Sequence, residues 1–60
     1  NFTAYLTEYR MKKAKQLLSD TNESIKDISR MVGYTDSNYF AKIFKRIVGE
    51  IPSKYREKLM

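Results

Sequence analysis

The sequence predicts an all-α fold, a small bundle of about four helices. Three observations carry this prediction. Apolar residues recur at spacings of three and four, polar clusters and glycines separate the periodic segments, and one segment near the C-terminus divides cleanly into an apolar and a polar side. A chain of 60 residues forms one small domain at most, so its core must be compact.

The first helix is predicted over residues 4–19, with Thr3 as its N-cap. Its apolar side is formed by Leu6, Ala14, Leu17 and Leu18, with Tyr9 and Met11 beside them. Its other side is cationic and carries Arg10, Lys12, Lys13 and Lys15, which we interpret first as an ordinary solvated surface. A polar cluster over residues 19–23 ends this helix.

The second helix is predicted over residues 25–32. Ser24 is its N-cap, and Asp27 can reach back toward that cap as a shortened capping box. The apolar stripe consists of Ile25, Ile28, Met31 and Val32. Gly33 ends the helix because glycine adopts the left-handed conformation without a steric penalty.

The third helix is predicted from Ser37 to about Val48, with Asp36 or Ser37 as its cap. At about 100° per residue, one side carries Phe40, Ile43, Phe44 and Ile47, which we expect to be buried. The opposite side carries Asn38, Ala41, Lys42 and Lys45. Gly49 ends this helix, and Pro52 suits the first turn of a short fourth helix with Tyr55 and Leu59 as an apolar pair.

Composition favours a polyanionic partner and excludes several classes of function. Twelve Lys and Arg against seven Asp and Glu give a net charge of +5. The chain has no Cys and no His, and its acids are scattered, so we expect no enzyme, no metal and no cofactor. The lack of cysteine and of a membrane span predicts a cytoplasmic protein without a membrane partner. The start at Asn1 suggests a piece of a longer protein.

Two short helices joined by a glycine-containing turn are the arrangement that presents a second helix to the major groove of double-stranded DNA. Asn38 suits paired hydrogen bonds with adenine, and Lys42 reaches guanine one turn later. Ser37 can donate or accept near the helix start, and Ala41 is small enough to touch a thymine methyl group. We predict these four residues as base contacts.

Three neighbouring residues are predicted to contact the DNA backbone. Lys45 and Arg46 are placed for phosphate. Tyr39 suits either the sugar-phosphate backbone or the edge of the core, and the sequence favours neither. Asp36 is an acid at the leading edge of this helix, and its role as N-cap explains it best.

A basic protein-interaction module is the alternative interpretation. A helical bundle with three Met and five Tyr could dock an acidic helix or an RNA polymerase subunit. The two interpretations differ in salt dependence, because binding to a duplex releases counterions and binding to a protein need not.

The run from Ile28 to Phe40, with Phe44-Lys45, Gly49, Pro52 and Tyr55-Arg56, resembles the second helix-turn-helix of AraC/XylS-type bacterial transcription regulators. The upstream residues that resemble the linker helix of this family are Phe2, Tyr5-Leu6, Arg10, Ala14 and Leu17-Leu18. The resemblance implies a homeodomain-like fold and part of a DNA-binding domain: a linker helix at 1–20, the second helix-turn-helix at 24–49 and a C-terminal helix at 52–60. The first helix-turn-helix unit of the family is missing.

The resemblance also implies roles for residues and partners. The helix from Ser37 to Val48 becomes the recognition helix, and Ser37, Asn38 and Lys42 match the base-contacting positions, with Ala41 nearby. RNA polymerase becomes a second partner, and the exposed apolar side of the linker helix predicts weak self-association.

Two residues depart from the family pattern. Ser29 stands where Ala is usual, so its hydroxyl needs a partner, and we expect the carbonyl four residues back. Ile51 stands where Ser or Thr commonly caps the last helix, so we expect that helix to fray.

Overall fold

The computed structural model describes residues 1–59 and contains four α-helices. They are α1 (Phe2–Asp20), α2 (Ile25–Met31), α3 (Ser37–Val48) and α4 (Pro52–Lys58). The described residues form no strand, and the all-α prediction is confirmed. Met60, the last residue of the predicted C-terminal helix, lies outside the described residues.

The long helix α1 begins two residues earlier than predicted, because its N-cap is Asn1 and not Thr3. The side-chain oxygen of Asn1 accepts a hydrogen bond from the Ala4 N–H at 2.9 Å. Thr3 lies inside the first turn, where its carbonyl oxygen accepts from the Thr7 hydroxyl at 2.9 Å. Asparagine and threonine are both favourable N-cap residues, so their identities alone do not show which of the two caps α1.

Ser24 caps α2 as predicted, and its hydroxyl oxygen accepts from the Asp27 N–H at 3.0 Å. The helix ends at Met31, one residue earlier than expected, and Val32 follows as its C-cap. The Ser29 hydroxyl is buried and donates to the Lys26 carbonyl at 2.7 Å. Its partner is therefore three residues back, where we expected four.

Local capping also sets the ends of α3 and the start of α4. The Asp36 carboxylate accepts from the N–H groups of Asn38 at 2.9 Å and Tyr39 at 3.4 Å, so Asp36 is the cap and not Ser37. Gly49 ends α3 with a φ of +104°. α4 begins at the buried Pro52, and Ile51 provides no side-chain cap.

The core lies where α1 packs against the other three helices. Its buried apolar residues are Met11, Ala14, Leu18, Ile28, Val32, Tyr34, Phe40 and Phe44. The rings of Phe40 and Phe44 are completely buried, with centroids 5.8 Å apart. Tyr55 of α4 meets Phe44 edge-on at 5.6 Å. The aromatic residues of α3 thus connect the core to the last helix.

The predicted burial of Ile47 is wrong, and two other residues of the predicted apolar patterns are also exposed. Ile47 is 46% exposed, because it lies in an open groove between α1 and α3 that no described residue covers. Met31 is 55% exposed, because Ile28, Ser29 and Val32 turn inward and leave it on the flank of α2. Leu59 is exposed and follows the last residue of α4, while Tyr55 is half-buried.

Arg56 fastens α4 to the connection between α1 and α2. Its guanidinium donates to three backbone carbonyls, those of Leu18 at 3.2 Å, Thr21 at 3.2 Å and Glu23 at 2.6 Å. The Leu18 carbonyl lies in the last turn of α1, where a carbonyl oxygen has no N–H partner further along the helix. The Arg56 guanidinium therefore binds a free carbonyl at the end of α1 and holds the polar loop between α1 and α2 in place.

Gly33 is required for two reasons in the turn between α2 and α3. Its φ is +109°, which residues with a Cβ rarely adopt. A Cβ at this position would also lie 3.2 Å from the Arg10 guanidinium carbon. The chain continues with the Tyr34 N–H donating to the Ser29 carbonyl at 2.8 Å, which closes the turn.

Gly33→Ala should therefore destabilise the protein more than Gly49→Ala. Both substitutions force a Cβ into the left-handed region at a cost of about 1 to 2 kcal/mol. Only Gly33→Ala also displaces a neighbour, since nothing lies within 4 Å of a Cβ at Gly49. Urea unfolding followed by circular dichroism measures both values. Equal losses in the two variants would contradict the role given to Arg10.

Candidate nucleic-acid interface

The arrangement of α2 and α3 is that of a helix-turn-helix. Residues 32–36 connect the two helices, which pack against each other and against α1. Because α2 and α1 cover one side of α3, only the opposite side of α3 is left for a partner. A helix presented in this way fits the major groove of a duplex.

The exposed side of α3 is polar and basic. It carries Asn38, Lys42, Lys45 and Arg46. Ser37 and Ala41 are half-buried, on the flank where α3 meets the rest of the bundle. The structure thus brings the predicted base contacts onto neighbouring turns of one helix, with the amide and the ammonium groups facing outward.

Tyr39 takes one of the two positions that the sequence left open, the edge of the core, and stays partly exposed. Its ring centroid is 5.9 Å from that of Tyr34, so it packs at the edge of the core. The side chain is still 54% exposed, which leaves part of it available to a partner. Its packing against Tyr34 restricts the ring, so any contact through its hydroxyl would be made from a fixed position.

Within the described residues, no acid forms an ion pair with the cations of α3. Within residues 1–59 the ion pair is between Lys58 and Glu50, at 2.9 Å, outside α3. Asp36 is the nearest acid in sequence, and its carboxylate accepts the N–H groups of the first turn. Lys42, Lys45 and Arg46 therefore present positive charge to the solvent, which attracts a polyanion.

Arg10 is a candidate functional residue that the sequence analysis missed. We assigned it to the solvated cationic side of α1, but it is half-buried and its guanidinium lies 5.2 Å from the centre of the Tyr34 ring. The spacing of Arg10, Ala14 and Leu17 places these residues on one side of a helix, apart from Lys12 and Lys15. That spacing is the signal that could have identified it.

Residues 1–59 hold no cluster of three or more His, Cys, Asp or Glu with a geometry suited to a metal ion. None of the described helices combines the length and the hydropathy needed to cross a membrane.

Comparisons with known proteins agree with this geometry. The family described as "Helix-turn-helix domain" matches residues 1–58. The raffinose operon transcriptional regulatory protein RafR of Pediococcus pentosaceus is 50% identical over 54 residues, which cover 90% of this chain and 20% of that protein. The Msm operon regulatory protein of Streptococcus mutans is 42% identical over 55 residues, covering 92% of this chain and 20% of that protein.

Two solved structures share the fold. The C-terminal domain of the two-component response regulator yesN from Fusobacterium nucleatum has a TM-score of 0.92 and 41% identity, over 93% of this chain and 54% of that one. A DNA-binding transcriptional dual regulator from Escherichia coli K-12 has a TM-score of 0.95 and 34% identity, over 98% of this chain and 53% of that one.

The chain belongs to the helix-turn-helix family of AraC-type bacterial transcription regulators and is part of a DNA-binding domain. This is a family of DNA-binding regulators, not of enzymes. The chain spans about a fifth of the length of the two curated relatives and about half of each solved chain.

Proposed function

We propose that this chain is the C-terminal half of the DNA-binding domain of a longer transcription regulator. In this proposal residues 1–20 are the linker helix, residues 24–49 the second helix-turn-helix and residues 52–60 the C-terminal helix. α3 enters the major groove. The observation that carries the proposal is the division of α3, since Phe40 and Phe44 are completely buried while Asn38, Lys42 and Lys45 are exposed on the opposite side.

Sequence reading is assigned to the first two turns of α3. Asn38 presents an amide, which matches the donor and acceptor pair on the major-groove edge of adenine, and Lys42 matches the acceptors of guanine. Ser37 and Ala41 lie on the half-buried flank of the same turns, where a close approach of the duplex would bring them to base edges. Tyr39, Lys45 and Arg46 are assigned to the DNA backbone.

The longer protein is proposed to regulate an operon from the cytoplasm, where it would meet both DNA and RNA polymerase. Two relatives are named as regulators of operons, and this chain shares half or nearly half of its aligned residues with each of them. A contact with RNA polymerase is compatible with DNA binding, because α2 also carries exposed side chains, those of Lys26, Arg30 and Met31.

Binding to a duplex should weaken steeply as salt is raised. Each phosphate neutralised by a cation contributes about 0.9 to the slope of log affinity against log salt concentration. Fluorescence anisotropy of a labelled mixed-sequence duplex, titrated at several salt concentrations, measures this slope. A flat dependence, together with salt-insensitive binding to an acidic helical peptide, would favour the protein-interaction module.

The residues of α3 should separate into two groups by their effect on sequence preference. Asn38→Ala and Lys42→Ala should each reduce discrimination between the preferred sequence and a single-base variant by about 1 to 3 kcal/mol. Lys45→Ala should weaken binding to all sequences alike. Selection from a randomised duplex pool, followed by titration of the recovered sites, measures both effects. An unchanged preferred sequence in Lys42→Ala would refute its assignment as a base contact.

We also propose weak self-association of this chain through an aromatic face of α1, defined by Phe2, Tyr5 and Tyr9. These side chains are 76%, 68% and 55% exposed, and spacings of three and four place them on one side of the helix. Met11, Ala14 and Leu18 point to the core from the other side. Three exposed aromatic rings in one row form an apolar patch of the kind that mediates association.

Sedimentation should therefore depend on protein concentration. Tyr5→Gln should shift the profile toward the monomer, because it removes an exposed ring without touching the core. Ile51→Gln is the matched control, since Ile51 is also exposed and apolar but lies before α4. A monomeric profile of the unmodified chain at high concentration would exclude self-association.

A further inference from the structure

Arg10 is held against the turn of the helix-turn-helix. Its guanidinium lies over the Tyr34 ring, 5.2 Å from the ring centre, and packs on the backbone of Gly33. A guanidinium stacked in this way loses little further freedom when it binds a ligand. The turn and the Tyr34 ring therefore fix a planar cation beside the start of α3.

The N–H groups of Arg10 are not used within the bundle. Across the described residues, the guanidinium hydrogen bonds are those of Arg56, and the ion pair is that of Lys58 with Glu50. Arg56 shows what a structural arginine does in this fold, because it donates to three carbonyls. Arg10 keeps the same donors but offers them to an open cleft.

The cleft lies between α1 and the turn, and its lining mixes polar and apolar surface. Besides Arg10, its lining includes three threonines, Asp36 and Tyr39. The threonines are Thr3, Thr7 and Thr35. The Thr7 hydroxyl already donates to the Thr3 carbonyl, so it has no proton left for an anion, whereas the Thr35 side chain is exposed. Tyr39 belongs both to the lining of the cleft and to α3, so the cleft lies next to the exposed side of that helix.

We propose that this cleft binds one phosphate group of the DNA backbone, with the Arg10 guanidinium as the main donor. The inference rests on the proposed function, because α3 in the major groove brings a backbone strand alongside its first turns. The forked donors of arginine match the oxygens of a phosphate. A phosphate held at this point fixes the register in which Ser37 and Asn38 meet the bases.

Asp36 makes the cleft selective for a phosphate that is delivered by a duplex. Its carboxylate lies on the rim and repels small anions. On a duplex, the other cations of α3 bind at the same time and offset this repulsion. Asp36→Asn should therefore raise duplex affinity several-fold, and asparagine keeps the helix cap because it is as good an N-cap as aspartate.

The salt dependence of binding to a short mixed-sequence duplex tests the proposal. Arg10→Gln should lower the slope of log affinity against log salt concentration by about 0.9, the value for one phosphate. Arg10→Lys should keep the slope, because it keeps the charge. Lys13→Gln is the matched control, a cation removed from the exposed side of α1. An unchanged slope in Arg10→Gln, or an equal loss in Lys13→Gln, would overturn the proposal.

Nuclear magnetic resonance of the unmodified chain gives a second test, which does not depend on any substitution. Adding the duplex should shift the Arg10 Nε–H signal and leave that of Arg56, which is bonded to Leu18, in place. If the α3 amides shift while Arg10 does not, this inference fails and the proposed function stands. If neither the α3 amides nor the Arg10 signal shifts, both this inference and the proposed function fail.

Inorganic phosphate at matched ionic strength distinguishes a duplex from a free anion. It should leave the Arg10 signal unmoved, because only a duplex engages α3 at the same time. A shift as large as that produced by the duplex would show a small-anion site and would overturn the assignment to DNA.

Discussion

The burial of Phe40 and Phe44 is the constraint on which the rest of the molecule depends. Both rings are inaccessible to solvent, and they lie on one side of a single helix. Their burial fixes the rotation of α3 about its axis, so it also decides which side chains face outward. If the helix rotated by one residue, about 100°, Asn38 and Lys42 would turn toward the flank of the bundle. The position of the proposed reading surface therefore follows from the core.

The arginines divide between the framework and the proposed interface, although they contribute equally to the net charge. Arg56 donates to three carbonyls at the connection between α1 and α2 and so has a structural role. Arg46 is exposed on α3. Arg10 stands between these cases, since it packs on the turn and its guanidinium is proposed to bind a phosphate. A basic composition favours a polyanionic partner, but only position shows which cations can meet it.

The helices could be predicted to within two residues at each end because local chemistry sets their limits. Ser24 and Asp36 cap their helices through bonds to residues two or three positions ahead, and Gly49 ends α3 through its own backbone conformation. The prediction of the α1 N-cap was wrong because Asn1 and Thr3 can both cap a helix. In the candidate site, the exposure of Asn38, Lys42 and Lys45 followed from periodicity. The half-burial of Ser37 and Ala41 depends on neighbouring helices, so periodicity could not show it.

The sequence by itself determined the helical class, the position of the turn and the two-sided character of α3, because these depend on residues close together in the chain. Only the tertiary structure decided that Ile47 and Met31 stay exposed and that Arg10 turns onto Gly33 and Tyr34. An apolar stripe in the sequence indicates which residues can be buried. Whether they are buried depends on how much of the stripe the neighbouring helices cover, and four short helices cannot cover all of it.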